Sequence, residues 1–139
     1  MERGYIKINM EEGKAPSVEI QPAASNTVWL TKYEMARLLN CFPQKIEANL
    51  RSIFKEQLLW ENDCTCNRRY TDGGIEKQCL YYNLEVLIFI SYRVNTLEAK
   101  IFRQFVNTAL REYLQREKMP KNRTKLVWLF QPPMNYSWN

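Results

Sequence analysis

Residues 44–51, QKIEANLR, bring amide and cationic side chains together at spacings suited to reading the edge of a nucleic-acid duplex. Gln and Asn each offer a donor and an acceptor to adenine at once, whereas Arg and Lys donate to guanine or to phosphate. If a helix begins at Pro43 with Ile46, Leu50, Ile53 and Phe54 turned inward, then Gln44, Lys45, Glu47, Ala48, Asn49 and Arg51 face outward. Gln44, Lys45, Ala48 and Asn49 are the candidate base-facing residues; Lys32, Arg51, Lys55, Arg68 and Arg69 are the candidate phosphate contacts. In those roles, truncating Asn49 costs about 1–3 kcal/mol of base discrimination, and removing Arg69 weakens all sequences alike.

Other chemistries lack their residues. The chain has no His, no Gly-rich phosphate loop and no nucleophile elbow, so acid–base catalysis would fall to unpaired carboxylates. The expectation is a protein that is not an enzyme and uses no cofactor. The four cysteines, Cys41, Cys64, Cys66 and Cys79, include one C-x-C and none of the paired spacing of a zinc site, so no metal is expected. Cys64 and Cys79 could face each other across a hairpin as a thiol pair in a reducing cytoplasm, but ordinary small core or half-buried residues are the better reading of the cysteines.

The elements that would position these side chains are legible on either side. Thr31 and Glu34 have the spacing of a capping box, so a helix is expected from Lys32, with Met35, Leu38 and Leu39 on its inner face. It stops at Asn40, a residue that tolerates the left-handed conformation of a helix end. Asn40, Cys41 and Phe42 form the turn, and Pro43 suits the first position of the next helix, where its missing N–H is not needed. Phe42 is expected to staple onto Ile46. Two helices joined this way have the form of a helix-turn-helix, although an ordinary helical hairpin has the same form.

Upstream, YIKIN (residues 5–9) and SVEI (residues 17–20) alternate around a turn and read as a β-hairpin; residues 27–30 read as extended, a candidate addition to the same sheet. Downstream, residues 61–63 read as a polar turn. CTCNRRYT and EKQCLYY then flank a Thr-Asp-Gly-Gly turn, the signature of a second hairpin that could act as a wing. Residues 83–95 are apolar on nearly every side, so periodicity does not separate helix from strand; Asn83 as a cap favours helix. Asn95 with Glu98 forms another capping box, opening a long helix to about Lys118. Its broad apolar face holds Leu97, Ile101, Phe105, Ala109 and their neighbours, with Lys100, Arg103, Arg111 and Arg116 mainly outside. Residues 124–130 form a strand-like run in the tail.

A length of 139 residues suits one domain with tails, and the net charge of +5 is concentrated in the helical segments and the tail. That distribution suits a phosphate-contacting surface, although mild basicity is also common in proteins that bind no nucleic acid. The longest apolar run, residues 84–90, is far shorter than the roughly 20 residues needed to cross a bilayer. The N-terminus lacks the apolar segment of a signal peptide. A cytoplasmic protein without a membrane segment is expected.

Several motifs resemble the RhuM family: Trp29-Leu30-Thr31 before a helix, the break at Asn40-Cys41, Ile53-Phe54-Lys55, and above all Tyr82-Asn83-Leu84-Glu85 followed by Ser91-Tyr92-Arg93-Val94-Asn95. Phe102-Arg103, Ala109-Leu110 and Glu112-Tyr113-Leu114 continue the likeness, which covers roughly residues 27–116. That bacterial family carries a virulence label, is often found on mobile elements and is described as DNA-binding without a defined biochemical role. The chain departs from its pattern at Cys41, Phe42, Pro43 and Gln44, where a polar cap is lost, and it stops soon after the long helix. Arg93 and Asn95 carry the likeness but read as structural, Arg93 pairing with Glu85 or Glu98.

The expected fold is α+β: a winged helix-turn-helix over residues 27–118, an N-terminal β-hairpin arm in residues 1–26, a C-terminal two-helix unit, and a tail over residues 119–139. The expected partner is double-stranded DNA, bound by a homodimer joined through the long helix or the tail strand. The rival expectation is a protein-interaction module on the same scaffold, suggested by Phe42, Glu47 and the aromatic tail.

Overall fold

In a computed structural model, which describes residues 2–116, the alternation in YIKIN and SVEIQ becomes an antiparallel hairpin of β1 (Tyr5–Asn9) and β2 (Ser17–Gln21). Ile6 lies opposite Ile20 and Ile8 opposite Val18, so one face of the pair is apolar. The hairpin lays that face against the core, where Ile6 is buried and Ile8, Val18 and Ile20 pack beside it. Gly4 precedes β1 with φ +68°, and a Cβ there would stand 2.4 Å from the Gln21 carbonyl oxygen and 2.8 Å from the Ala23 nitrogen. Glycine alone fits where the chain enters the hairpin.

Helix α1 (Lys32–Leu38) starts at the expected capping box: Thr31 Oγ1 accepts the Glu34 N–H at 3.1 Å, and Glu34 Oε1 accepts the Thr31 N–H at 2.9 Å. It ends in a Schellman turn. Asn40 takes φ +55°, its N–H bonds the Arg37 carbonyl, and the Cys41 N–H reaches back to the Ala36 carbonyl. Helix α2 (Pro43–Lys55) follows at once and closes with the same device at Gln57, φ +57°, where the Leu58 N–H bonds the Ile53 carbonyl. Phe42 does not staple onto Ile46. It is the N-cap and stands exposed, while Cys41, one residue earlier, packs against the core at the position a staple occupies.

Residues 61–63, expected as a turn, belong to a one-turn helix, α3 (Glu61–Cys64). Strands β3 (Thr65–Asp72) and β4 (Ile75–Tyr82) then pair antiparallel around Gly73 and Gly74, whose φ values of +59° and +82° supply the tight turn. The register corrects the cysteine pairing. Cys79 lies opposite Arg68, Cys66 opposite Tyr81, and Cys64 sits in α3 before the strand begins. The extended segment before α1 joins this second hairpin and not the first: Leu30 and Tyr82 exchange backbone hydrogen bonds at 2.9 and 2.7 Å. Trp29 instead donates to the Arg3 carbonyl ahead of β1.

Residues 84–91 are helical, as α4 (Leu84–Ser91), because Asn83 Oδ1 accepts the Val86 N–H and Val86, Leu87 and Ile90 are fully buried. Helix α5 (Leu97–Arg116) is capped by Thr96, not by Asn95. Thr96 Oγ1 accepts the Ala99 N–H at 3.1 Å and donates to the Leu39 carbonyl at 2.6 Å, tying the start of α5 to the end of α1. Asn95 is exposed. Ala99, Ile101 and Phe102 bury the first half of α5, whereas Leu97, Ala109, Leu110 and Tyr113 on its expected apolar face are exposed. The fold is thus mixed α+β, with two small antiparallel hairpins and five helices among the described residues. No helix among them is long and apolar enough to cross a membrane. The expected strand at residues 124–130 lies outside the described residues.

Candidate nucleic-acid interface

Helix α2 presents a sorted surface. Each residue turns the helix by about 100°, so Gln44, Ala48, Arg51 and Lys55 fall along one line opposite Ile46, Leu50 and Ile53. All four are exposed and those three are buried. Lys45 is exposed beside this line. Ala48 in the middle leaves a low point between longer side chains. The first turn holds no acidic residue and Phe42 supplies no side-chain cap, so neither offsets the positive end of the helix dipole.

The remaining candidates lie to either side. Lys32 reaches across from α1 to Glu47, with Nζ 2.7 Å from Oε1, and also sits over the Tyr33 ring. That hydrogen bond raises the Lys32 ammonium above its ordinary value and lowers the Glu47 carboxyl. Asn49 is half-buried on the opposite flank, where its Nδ2 donates to the Lys45 carbonyl at 2.9 Å. Lys32 and Asn49 therefore have partners within the chain, whereas no ion pair among the described residues engages Lys45, Arg51, Lys55 or Arg68.

Arg68 and Arg69 project from opposite faces of the β3–β4 ribbon, because successive strand residues alternate. By register, Arg68 shares its face with Cys79, Tyr81 and Lys77, and Arg69 shares the other with Gln78, Glu76 and Tyr82. Both are exposed, and Arg69 approaches Glu76 at 3.7 Å. Tyr82 anchors the base of the ribbon beside α2, its ring stacked on Phe54 at 6.4 Å and 18°. The Arg69 face is thus continuous, at its base, with the side of α2 that carries Glu47 and Phe54. On the other face, Tyr81 lies under the Arg3 guanidinium at 5.0 Å, toward the N-terminal segment.

Tyr82, Asn83, Leu84 and Arg93 are joints. Tyr82 bridges to Leu30; the Asn83 N–H donates to the Cys64 carbonyl at 3.0 Å; the Leu84 N–H donates to Thr27 Oγ1 at 3.0 Å. Arg93 pairs with neither Glu85 nor Glu98. It reaches α2, donating to Ser52 Oγ at 3.1 Å with Glu56 at 3.9 Å, and so fixes one flank of that helix.

Two exposed side chains were not fixed by the reading of the sequence. Arg37 is exposed on α1, one turn beyond exposed Tyr33, and lines a depression with β1 of the N-terminal hairpin; its spacing from Tyr33 was the available signal. Phe42 is 80 % exposed, and only the Schellman turn, which sends Cys41 inward, decides that. Among the described residues, no group of three or more His, Cys, Asp or Glu side chains is placed to hold a metal ion. Comparison of the chain with protein-family models, curated proteins and solved structures returns no match.

Proposed function

We propose that this chain is a winged helix-turn-helix DNA-binding protein, with α1 and α2 as the helical pair, α2 as the recognition helix and the β3–β4 hairpin as the wing. The observation that carries the reading is the α2 surface: Gln44, Ala48, Arg51 and Lys55 in one exposed line, Lys45 beside it, and no acidic residue in the first turn. Such a line offers one amide for adenine, cations for guanine and phosphate, and a small residue that permits close approach. In this reading Gln44, Lys45 and Ala48 face bases, and Arg51, Lys55 and one of Arg68 or Arg69 contact phosphate. Asn49 and Lys32 join only by releasing the Lys45 carbonyl and Glu47 respectively. The likeness to the RhuM family extends the proposal to a transcriptional regulator carried on a bacterial mobile element and acting in the cytoplasm. A homodimer would supply two half-sites, and the exposed Leu110 and Tyr113 of α5 make that helix the proposed interface.

The test is fluorescence anisotropy of the chain with random-sequence duplex DNA from about 50 to about 200 mM salt, where phosphate contacts give a steep log–log dependence. A slope of several units is expected, and Arg51→Ala reduces it by about one. Absence of salt-dependent binding, together with a stable protein complex, establishes the rival reading of an interaction module. The exposed Phe42 ring is the observation on that side.

A further inference from the structure

Phe42 has the greatest exposure among the large apolar side chains of the described residues, and it is not part of the hydrophobic core that those residues form. It forms no cap hydrogen bond, and Cys41 takes the packing position next to it. It stands at the leading end of α2, where it lines a shallow depression of about 530 Å³ together with Lys45 and Thr96. Gln44 and Lys45 follow it, both exposed. The occupant of this end must therefore offer an apolar group immediately beside hydrogen-bonding and anionic groups. A recognition helix directs its N-terminal residues at base edges. On the floor of the major groove the apolar group is the C5-methyl of thymine.

We infer that Phe42 is a specificity-determining residue that packs against a thymine C5-methyl group in the major groove. The inference rests on the DNA-binding reading above and names a base feature which that reading leaves open. As an N-cap without a side-chain hydrogen bond, Phe42 contributes nothing to the start of α2 that such a contact would disturb.

The experiment uses the tightest duplex that the wild-type chain recovers from a random-sequence pool, with each thymine in turn replaced by uracil. That change removes one methyl group and leaves base pairing intact. Wild type is expected to weaken about fourfold at one or two positions, the fold-change that burial of a single methyl implies. Phe42→Ala, checked for native helicity by circular dichroism, is expected to bind the thymine duplex more weakly and to lose nothing further at those positions. Phe42→Leu retains part of the preference. If no uracil replacement weakens wild-type binding, or if Phe42→Ala suffers the same loss as wild type, the inference is overturned while DNA binding stands. If no duplex is recovered, both the inference and the DNA-binding reading fall.

Discussion

Cys64 illustrates how position overrides residue type. As one half of a C-x-C it invites a reading as a ligand or a redox thiol, yet it is buried at the end of α3 with Glu85 Oε2 3.9 Å from its sulfur. Burial, followed by the negative charge of Glu85, pushes the thiol up to about 11. A raised thiol pKa means that the folded state holds the proton longer than the unfolded chain. The stability it contributes is intact below pH 9 and is lost as pH rises from 9 toward about 11. Unfolding free energy should decline across that window, and Cys64→Ala should flatten the decline even though it loses packing. At pH 8 the native thiol should react with iodoacetamide roughly a hundredfold more slowly than in the urea-unfolded chain, in proportion to its thiolate fraction; peptide mapping of the alkylated protein measures this. Equal rates would place Cys64 in solvent.

Among the elements, those with local causes were legible in the sequence. The capping box at Thr31, the left-handed Asn40, Pro43 at the head of α2, the Asp-Gly-Gly turn and the Asn83 cap all act through groups a few residues apart, and each occurs where the sequence puts it. Element ends that depend on distant partners were not legible. Thr96 displaces Asn95 as the cap of α5 because its hydroxyl also bonds the Leu39 carbonyl, which the sequence places far away. Arg103, expected mainly outside, is half-buried and turns back to donate to the Ser91 and Val94 carbonyls, closing the turn between α4 and α5 and lying near the Tyr92 ring. Arg103→Ala should leave those carbonyls without their donor and cost about 1.5–3 kcal/mol, the range for hydrogen bonds from a charged group. Urea denaturation measures this, and Arg103→Lys should recover only part, since an ammonium lacks the planar group that meets the Tyr92 ring. A change below a few tenths of a kcal/mol would mean that the turn holds itself.

At the scale of the molecule, Glu34 is the point where the N-terminal segment, the first helix and the β3–β4 hairpin meet. Its carboxylate closes the capping box and accepts from Arg3 Nη1 at 2.7 Å, while Arg3 also lies over Tyr81 of β4. Burial alone would raise this carboxyl, but the Thr31 N–H and the Arg3 guanidinium together hold it below the usual carboxylate range. The sign follows: a depressed carboxyl stabilises the fold above its unfolded value of 4.5, and that stabilisation disappears as pH falls through the folded value. Thermal melts from pH 7 down to pH 3 should show a fall in Tm that is shallower in Glu34→Gln. Identical pH profiles would show that the three segments are held by their apolar contacts alone.

The sequence carried the α+β class, the two hairpins and the helix pair around Asn40, because alternation, capping and left-handed turns are properties of short windows. It also carried the outward identity of Gln44, Ala48, Arg51 and Lys55, since a helix face follows from spacing once the buried positions are known. Long-range geometry was set by the tertiary structure. Leu30 pairs with Tyr82 at the end of β4, Arg93 braces α2 at Ser52, Lys32 meets Glu47, and Cys41 goes inward while Phe42 goes out. Each of these depends on which segments share one core, and a window of neighbouring residues holds no information about packing partners dozens of positions away.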